Sequence, residues 1–288
     1  MRPIYRVNFL VLLIILLRIV IGMLRLPIPI NMMNIISQYL TLFMPVIIFI
    51  LITKKDFKKT LSLSKLKLSN IPIIILIAVV MQPFLTTVSL IASSIVGDQV
   101  SGIIESATTP SFFLTLFGLA ITPAICEEFL LRGVILDGYR GKTIKKAAIM
   151  NGILFGILHM NFHQFAYTFF LGVLLAYIVY ITGSILSSIL IHFINNGTAV
   201  LGAHFINTGG SEVSKEVVAE GVRLGYANIV VAAISLFLTL SLVKLLIKIN
   251  KKDMSKVYSK YKKDYIFNLP LFLLIIVFIG LSILSMTL

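Results

Sequence analysis

A single cysteine, Cys126, stands among 288 residues. That excludes an internal disulfide and leaves no cysteine-built metal site. One thiol inside an apolar run reads as a small apolar filler. Charge is scarce as well, at 12% of residues, against 58% hydrophobic residues and a mean hydropathy of +1.04. A soluble domain of this length is not built that way. Gly-Ser linkers, internal repeats and low-complexity tails are all missing, so residues 1–288 read as one transmembrane domain. Acidic residues are the rarer sign, 11 against 25 Lys and Arg, for a net charge of +14. That balance invites a nucleic-acid partner, but the distribution argues against one. The basic residues collect in "MRPIYR", "TKKDFKKTLSLSKLK", "RGKTIKK" and "KINKKDMSKVYSKYKK", between apolar runs. This is the positive-inside pattern, and it suits anionic lipid headgroups at the basic loops.

What is present is a series of long apolar runs, near 7–29, 35–53, 71–95, 112–136, 146–160, 164–181, 185–206, 226–248 and 267–287. A bilayer takes about 20 residues to cross, so the expectation is an all-α, polytopic transmembrane helix bundle of eight to nine spans. The count falls to eight if a short run is re-entrant or the last lies at the interface. The first run is longer than a signal-peptide core and no A-x-A-like site closes it, so it reads as an uncleaved span. With the N-terminus cytoplasmic, the basic loops 54–67, 137–146 and 249–264 all fall on the same side. The loops 96–111 and 207–225 fall opposite, with Asp98, Glu105, Glu212, Glu216 and Glu220 against Lys215 and Arg223. Residues 54–69 read as a solvated basic loop, and Arg18 as a side chain snorkelling to the cytoplasmic face.

Three runs carry polar side chains that hydrocarbon does not favour: "CEEFLLR", "FGILHMNFHQ" and "SSILIHFINNGTAV". An ionisable residue within a span is a functional hypothesis by default. Residues four apart share a helix face, so Glu128 pairs with Arg132. Glu127 points about 100° away and is left for chemistry, since a carboxyl group without a cationic partner is free to take and give a proton. The same spacing sets Phe155 over His159 and His192 over Asn196. Counted from the cytoplasmic ends, Glu127 lies about 15 Å in, His159 about 20 Å, and His192 and Asn196 about 12 to 18 Å. One layer therefore holds a glutamate, two histidines and an amide. Such a set can activate a water and stabilise the oxyanion formed at a peptide carbonyl. Alternatively, Glu127, His159 and His192 could ligate zinc with one open position, although no H-E-x-x-H is present. His163 and His204 read as solvated or interfacial, and Asn195 as a helix-packing amide. Pro123, one turn before the glutamates, could kink the helix and make room for a water.

In order, "EEFLLR", "FGILH" and "HFINN" give E-E-x-x-x-R, F-x-x-x-H and H-x-x-x-N. This resembles the CAAX prenyl protease and bacteriocin-processing (CPBP, or Abi) family of intramembrane endopeptidases, over roughly residues 110–205 as a catalytic core. The resemblance implies that Glu127 and His159 activate the water. It also implies that His192 and Asn196 stabilise the oxyanion, while Glu128 and Arg132 support the glutamate. Asn196 suits an oxyanion better than zinc, so no cofactor is expected. The substrate would be a membrane-associated peptide or protein. Lys outnumbers Arg 18 to 7 and Ile and Asn are abundant, which suits a bacterial plasma membrane and disfavours a prenylated substrate. An immunity protein acting by binding would show a lost motif residue, and none is lost. An ion-coupled transporter would show an inverted repeat and Gly/Pro-broken paired spans.

Overall fold

The computed structural model describes residues 2–24, 27–100, 111–207, 225–255 and 264–287. Among these there is no strand, and nine main helices follow one another. They are α1 (Pro3–Met23), α2 (Ile30–Gln38, a π-turn at Tyr39–Phe43, then Met44–Ile52) and α3 (Ile71–Val80, then Gln82–Val96). Next come α4 (Phe112–Gly138), α5 (Ile144–Leu158), α6 (Phe162–Thr182) and α7 (Leu186–Asn207). The series closes with α8 (Tyr226–Asn250) and α9 (Leu269–Thr287). All but α5 are long and apolar enough to cross a membrane. The chain is an integral, multi-pass membrane protein by this measure.

The basic segments gather at one end. Lys55 pairs with Asp137, Arg140 Nη2 donates to Lys59 O at 2.8 Å, and Lys142 Nζ donates to Asp264 O at 2.5 Å. Asp264 in turn accepts from Ile4 N at 2.8 Å, and Tyr139 Oη donates to Asn8 Oδ1 at 2.8 Å. Burial holds the Tyr139 phenol well above its ordinary pKa, so it remains a donor. Asn70 bonds Asn250, and Ile185 N donates to Ser62 O at 3.0 Å. At the opposite end Gln99 reaches His163 and Ser285. The alternation of helix directions holds only if α5 also carries the chain from the basic end toward the other. It does so with 15 residues, about 22 Å, and α6 brings the chain back. Glu105, Glu212, Glu216 and Glu220, expected in the opposing loops, lie outside the described residues.

Segment 54–69 is mostly exposed, as its lysines suggest, with a buried anchor. Leu61 is fully buried and packs over Gly133, so the loop is pinned to α4. Two spans are also made irregular beside a proline. In α3 the break precedes Pro83, and Ser235 on α8 repairs it by donating to Val80 O and accepting from Phe84 N. The second lies at Pro123 in α4.

Helix α4 is the most buried of the long spans, and the α5–α6 hairpin closes against it. Gly152 and Gly172 permit the close approach of α5 and α6: a Cβ on Gly172 would lie 2.7 Å from Gly152 Cα, and one on Gly152 2.6 Å from Phe169 O. Small residues at such crossings are the usual means of tight packing in membranes. The α6–α7 turn needs Gly183, whose φ of +72° is left-handed. We expect Gly172→Val to destabilise the detergent-solubilised protein by about 1–3 kcal/mol or more. Gly197→Val, where an added Cβ meets only Leu116 at 3.9 Å, should leave the thermal melt nearly unchanged.

Candidate active site

Helix α4 sets the site through its irregularity. Pro123 has no N–H to donate, and the helix widens just before it into a π segment, Phe117–Ile121, with Thr122 N bonded to Phe117 O. The carbonyls thereby released are capped from other helices. Asn196 Nδ2 on α7 donates to Leu119 O at 3.1 Å, and Gln38 Nε2 on α2 donates to Gly118 O at 3.4 Å. A second π segment, Phe129–Ile135, follows the glutamates, and there Asn151 Nδ2 on α5 donates to Leu131 O at 2.7 Å. Wide turns of this type recur at functional sites. Here they fix α4 to three neighbours by its own backbone.

Between the two wide turns lie Glu127 and Glu128. Glu128 is fully buried and accepts from Arg132 Nη1 at 2.6 Å. Arg132 is also buried; its Nη2 donates to Gly172 O at 3.2 Å, and its guanidinium lies 4.8 Å from the centre of the Phe155 ring. His192 Nδ1 is 2.9 Å from the same Glu128 Oε1. A carboxylate held by arginine only accepts, so this nitrogen carries the proton and Nε2 faces the other way. Phe155 meets the His159 ring at 5.1 Å and the His192 ring at 5.6 Å, both edge-on. The face arithmetic that paired Glu128 with Arg132 and Phe155 with His159 therefore holds, and one phenyl ring touches three of the polar groups.

Glu127 has no such clamp. Its side chain is 12% exposed where Glu128 is at 0%, and its Oε2 stands 3.8 Å from His192 Nε2. That gap is too long for a hydrogen bond and short enough for one water to bond both groups. His159 Nδ1 donates to Phe155 O at 2.9 Å, since a carbonyl can only accept, which leaves Nε2 as an acceptor. The charge of Glu127 reaches His159. Asn196 Oδ1 accepts from Asn195 Nδ2 at 3.0 Å, orienting its amide with the nitrogen toward α4. Among the described residues no three His, Cys, Asp or Glu side chains are placed to hold a metal ion.

A family model described as Type II CAAX prenyl endopeptidase Rce1-like matches residues 109–198. That match agrees with the resemblance to the CPBP family carried by the three motifs. The matched segment takes in α4, α5, α6 and the first half of α7, and with them every motif residue from Glu127 to Asn196. No curated protein and no solved structure matches the chain.

Outside the motifs two residues depart from the sequence reading, His163 and Arg18. His163 is buried rather than solvated: Gln99 N–H donates to its Nδ1 at 3.2 Å, and its Nε2 is 2.8 Å from Ser89 Oγ. Asp98 stands 3.6 Å from Nδ1, which gives the outline of a Ser-His-Asp triad. The proton is on the wrong nitrogen for it: an Nδ1 that accepts leaves Nε2–H donating to Ser89 rather than deprotonating it. The cluster pins residues 97–100 to α6. Arg18 does not snorkel to the basic end; its Nη1 donates to Leu158 O at 3.1 Å, beside His159. His204 is half-buried, its ring 5.0 Å from that of Phe112. Asn195 is the packing amide expected, accepting from Gln82 Nε2 on α3 at 3.4 Å. Asn151 was legible only as an amide in an apolar run.

Removing one partner from a buried ion pair leaves the other uncompensated. We expect Arg132→Met to cost about 3–5 kcal/mol in thermal unfolding of the protein in detergent. The double change Glu128→Gln with Arg132→Met should recover most of that loss.

Proposed function

We propose that the protein is an intramembrane endopeptidase in which Glu127 acts as general base on a water that attacks a peptide carbonyl. The observation that supports this is the asymmetry of the two glutamates. Glu128 is buried and bound to Arg132 and His192, while Glu127 is open to the site, 3.8 Å from His192 Nε2. Glu127 takes one proton of the water, while the lone pair on His159 Nε2 accepts a hydrogen bond from the O–H that remains and orients it. The hydroxide adds to the carbonyl carbon, and the oxygen becomes an oxyanion. Asn196 has a second N–H to donate to it. His192, held through Nδ1 by Glu128, donates from Nε2 in its protonated form. Glu127 then passes its proton to the leaving nitrogen as the C–N bond breaks.

The scheme uses only side chains of this chain, and no metal enters it. The substrate class is a membrane-associated peptide or protein, in keeping with a CAAX-type endopeptidase family. The excess of Lys over Arg favours a bacterial plasma membrane, with the basic end cytoplasmic and facing anionic headgroups. Glu127→Gln should abolish cleavage of a peptide that the wild-type chain cuts, with folding unchanged by circular dichroism. His159→Ala should slow cleavage by about 10²–10⁴-fold. Undiminished turnover in Glu127→Gln excludes this assignment. Activity should also survive exhaustive chelation, with no stoichiometric metal found by elemental analysis; loss on chelation and recovery with zinc would replace the scheme.

A further inference from the structure

Arg18 is a half-buried charged group beside this layer that the scheme above does not use. It lies on α1, outside the 109–198 segment that matches the family. A helix end leaves its last carbonyls without partners from within the helix, and at the end of α5 each can be assigned a donor. Phe155 O accepts from His159 Nδ1 at 2.9 Å, Gly156 O from His159 N at 3.1 Å, and Ile157 O from Met160 N at 3.1 Å. His159 O accepts from Asn161 Nδ2 at 2.9 Å. Leu158 O accepts from Arg18 Nη1 at 3.1 Å. The turn so held is a constrained one, because Met160 has a φ of +59°, a conformation uncommon outside glycine.

We infer that Arg18 is a positioning residue for His159: its guanidinium holds the last turn of α5, and with it the free nitrogen of His159, beside Glu127. The inference rests on the reading of Glu127 and His159 as the water-activating pair. Two features favour it over a charge that the bundle merely tolerates. A cation at a helix C-terminus is favoured by the helix dipole. In addition, the layer holds two carboxylates, of which Arg132 compensates Glu128 directly. Arg18 is the second guanidinium, on the side of Glu127.

The test uses the full chain in detergent and a quenched fluorogenic peptide ending in a farnesylated cysteine-aliphatic-aliphatic-methionine sequence, beside its unprenylated form. Arg18→Met should lower kcat on the order of tenfold to a hundredfold, as small misplacements of a reacting group do, with KM held. Arg18→Lys should recover part of the loss. A tolerated charge predicts the opposite, since losing it relieves desolvation and leaves kcat alone. Glu127→Gln is the control. Wild-type kcat in Arg18→Met beside a dead Glu127→Gln overturns the inference about Arg18 and leaves the protease reading intact, whereas an active Glu127→Gln overturns that reading. A second measurement needs no cleavage: the rate of diethyl pyrocarbonate modification of His159, read against His192 by mass spectrometry, should rise severalfold in Arg18→Met. An unchanged ratio overturns the inference. If Arg18→Met does not accumulate, the uncharged Arg18→Gln takes its place in both measurements.

Discussion

A carboxylate and a guanidinium, Glu128 and Arg132, are locked together in the middle of an apolar bundle, and the site is arranged around that pair. Neither ion is tolerable there alone. Together they form a fixed dipole, with Phe155 stacked on the cation and His192 bonded to the anion. Helix α4 thus acquires a rigid polar core that selects the rotation of α5 and α7 about their own axes. If either helix turned by a residue, Phe155 or His192 would leave the pair and a buried charge would lose a partner. The unclamped Glu127 owes its orientation to the neighbour that is clamped.

The second organising constraint is backbone hydrogen bonding. Hydrocarbon offers no solvent for a free carbonyl, yet α4 releases several by widening around Pro123 and again after Glu128. Amides on other helices, Gln38, Asn196 and Asn151, supply the missing donors. This gives Asn196 a structural partner on one N–H of the group whose other N–H the proposed scheme uses. It also explains why an apolar chain keeps so many asparagines within its spans. The ladder from Gln82 through Asn195 to Asn196 extends the same logic to α3.

Much of this was legible in the sequence, because helical spacing is rigid and burying charge in hydrocarbon is costly. Those two rules sorted Glu127 from Glu128, put Phe155 on His159, and brought three separate helices to one depth. Contacts between helices far apart in the chain were not legible. Arg18 looked like a snorkelling side chain because nothing near it in sequence is acidic; its partner, Leu158, is 140 residues away. His163 looked solvated because it opens a helix, and only the fold lays residues 97–100 over it. The lysines of segment 54–69 hid Leu61, a single apolar residue that fits over a glycine on α4. Helix α5 was placed correctly, but its shortness matters only once α6 is seen to fold back on it.

The site has a consequence for biogenesis. Its side chains come from α1, α4, α5 and α7, spread over residues 18 to 196. As the chain emerges, Glu128 and Arg132 enter the bilayer well before His192 has been made. Throughout that interval the pair is closed but the pocket is not, because the wall carrying His192 and Asn196 is still missing. A protease that lives among other newly inserted membrane proteins thus assembles its reactive surface late, after most of its own bundle is in place.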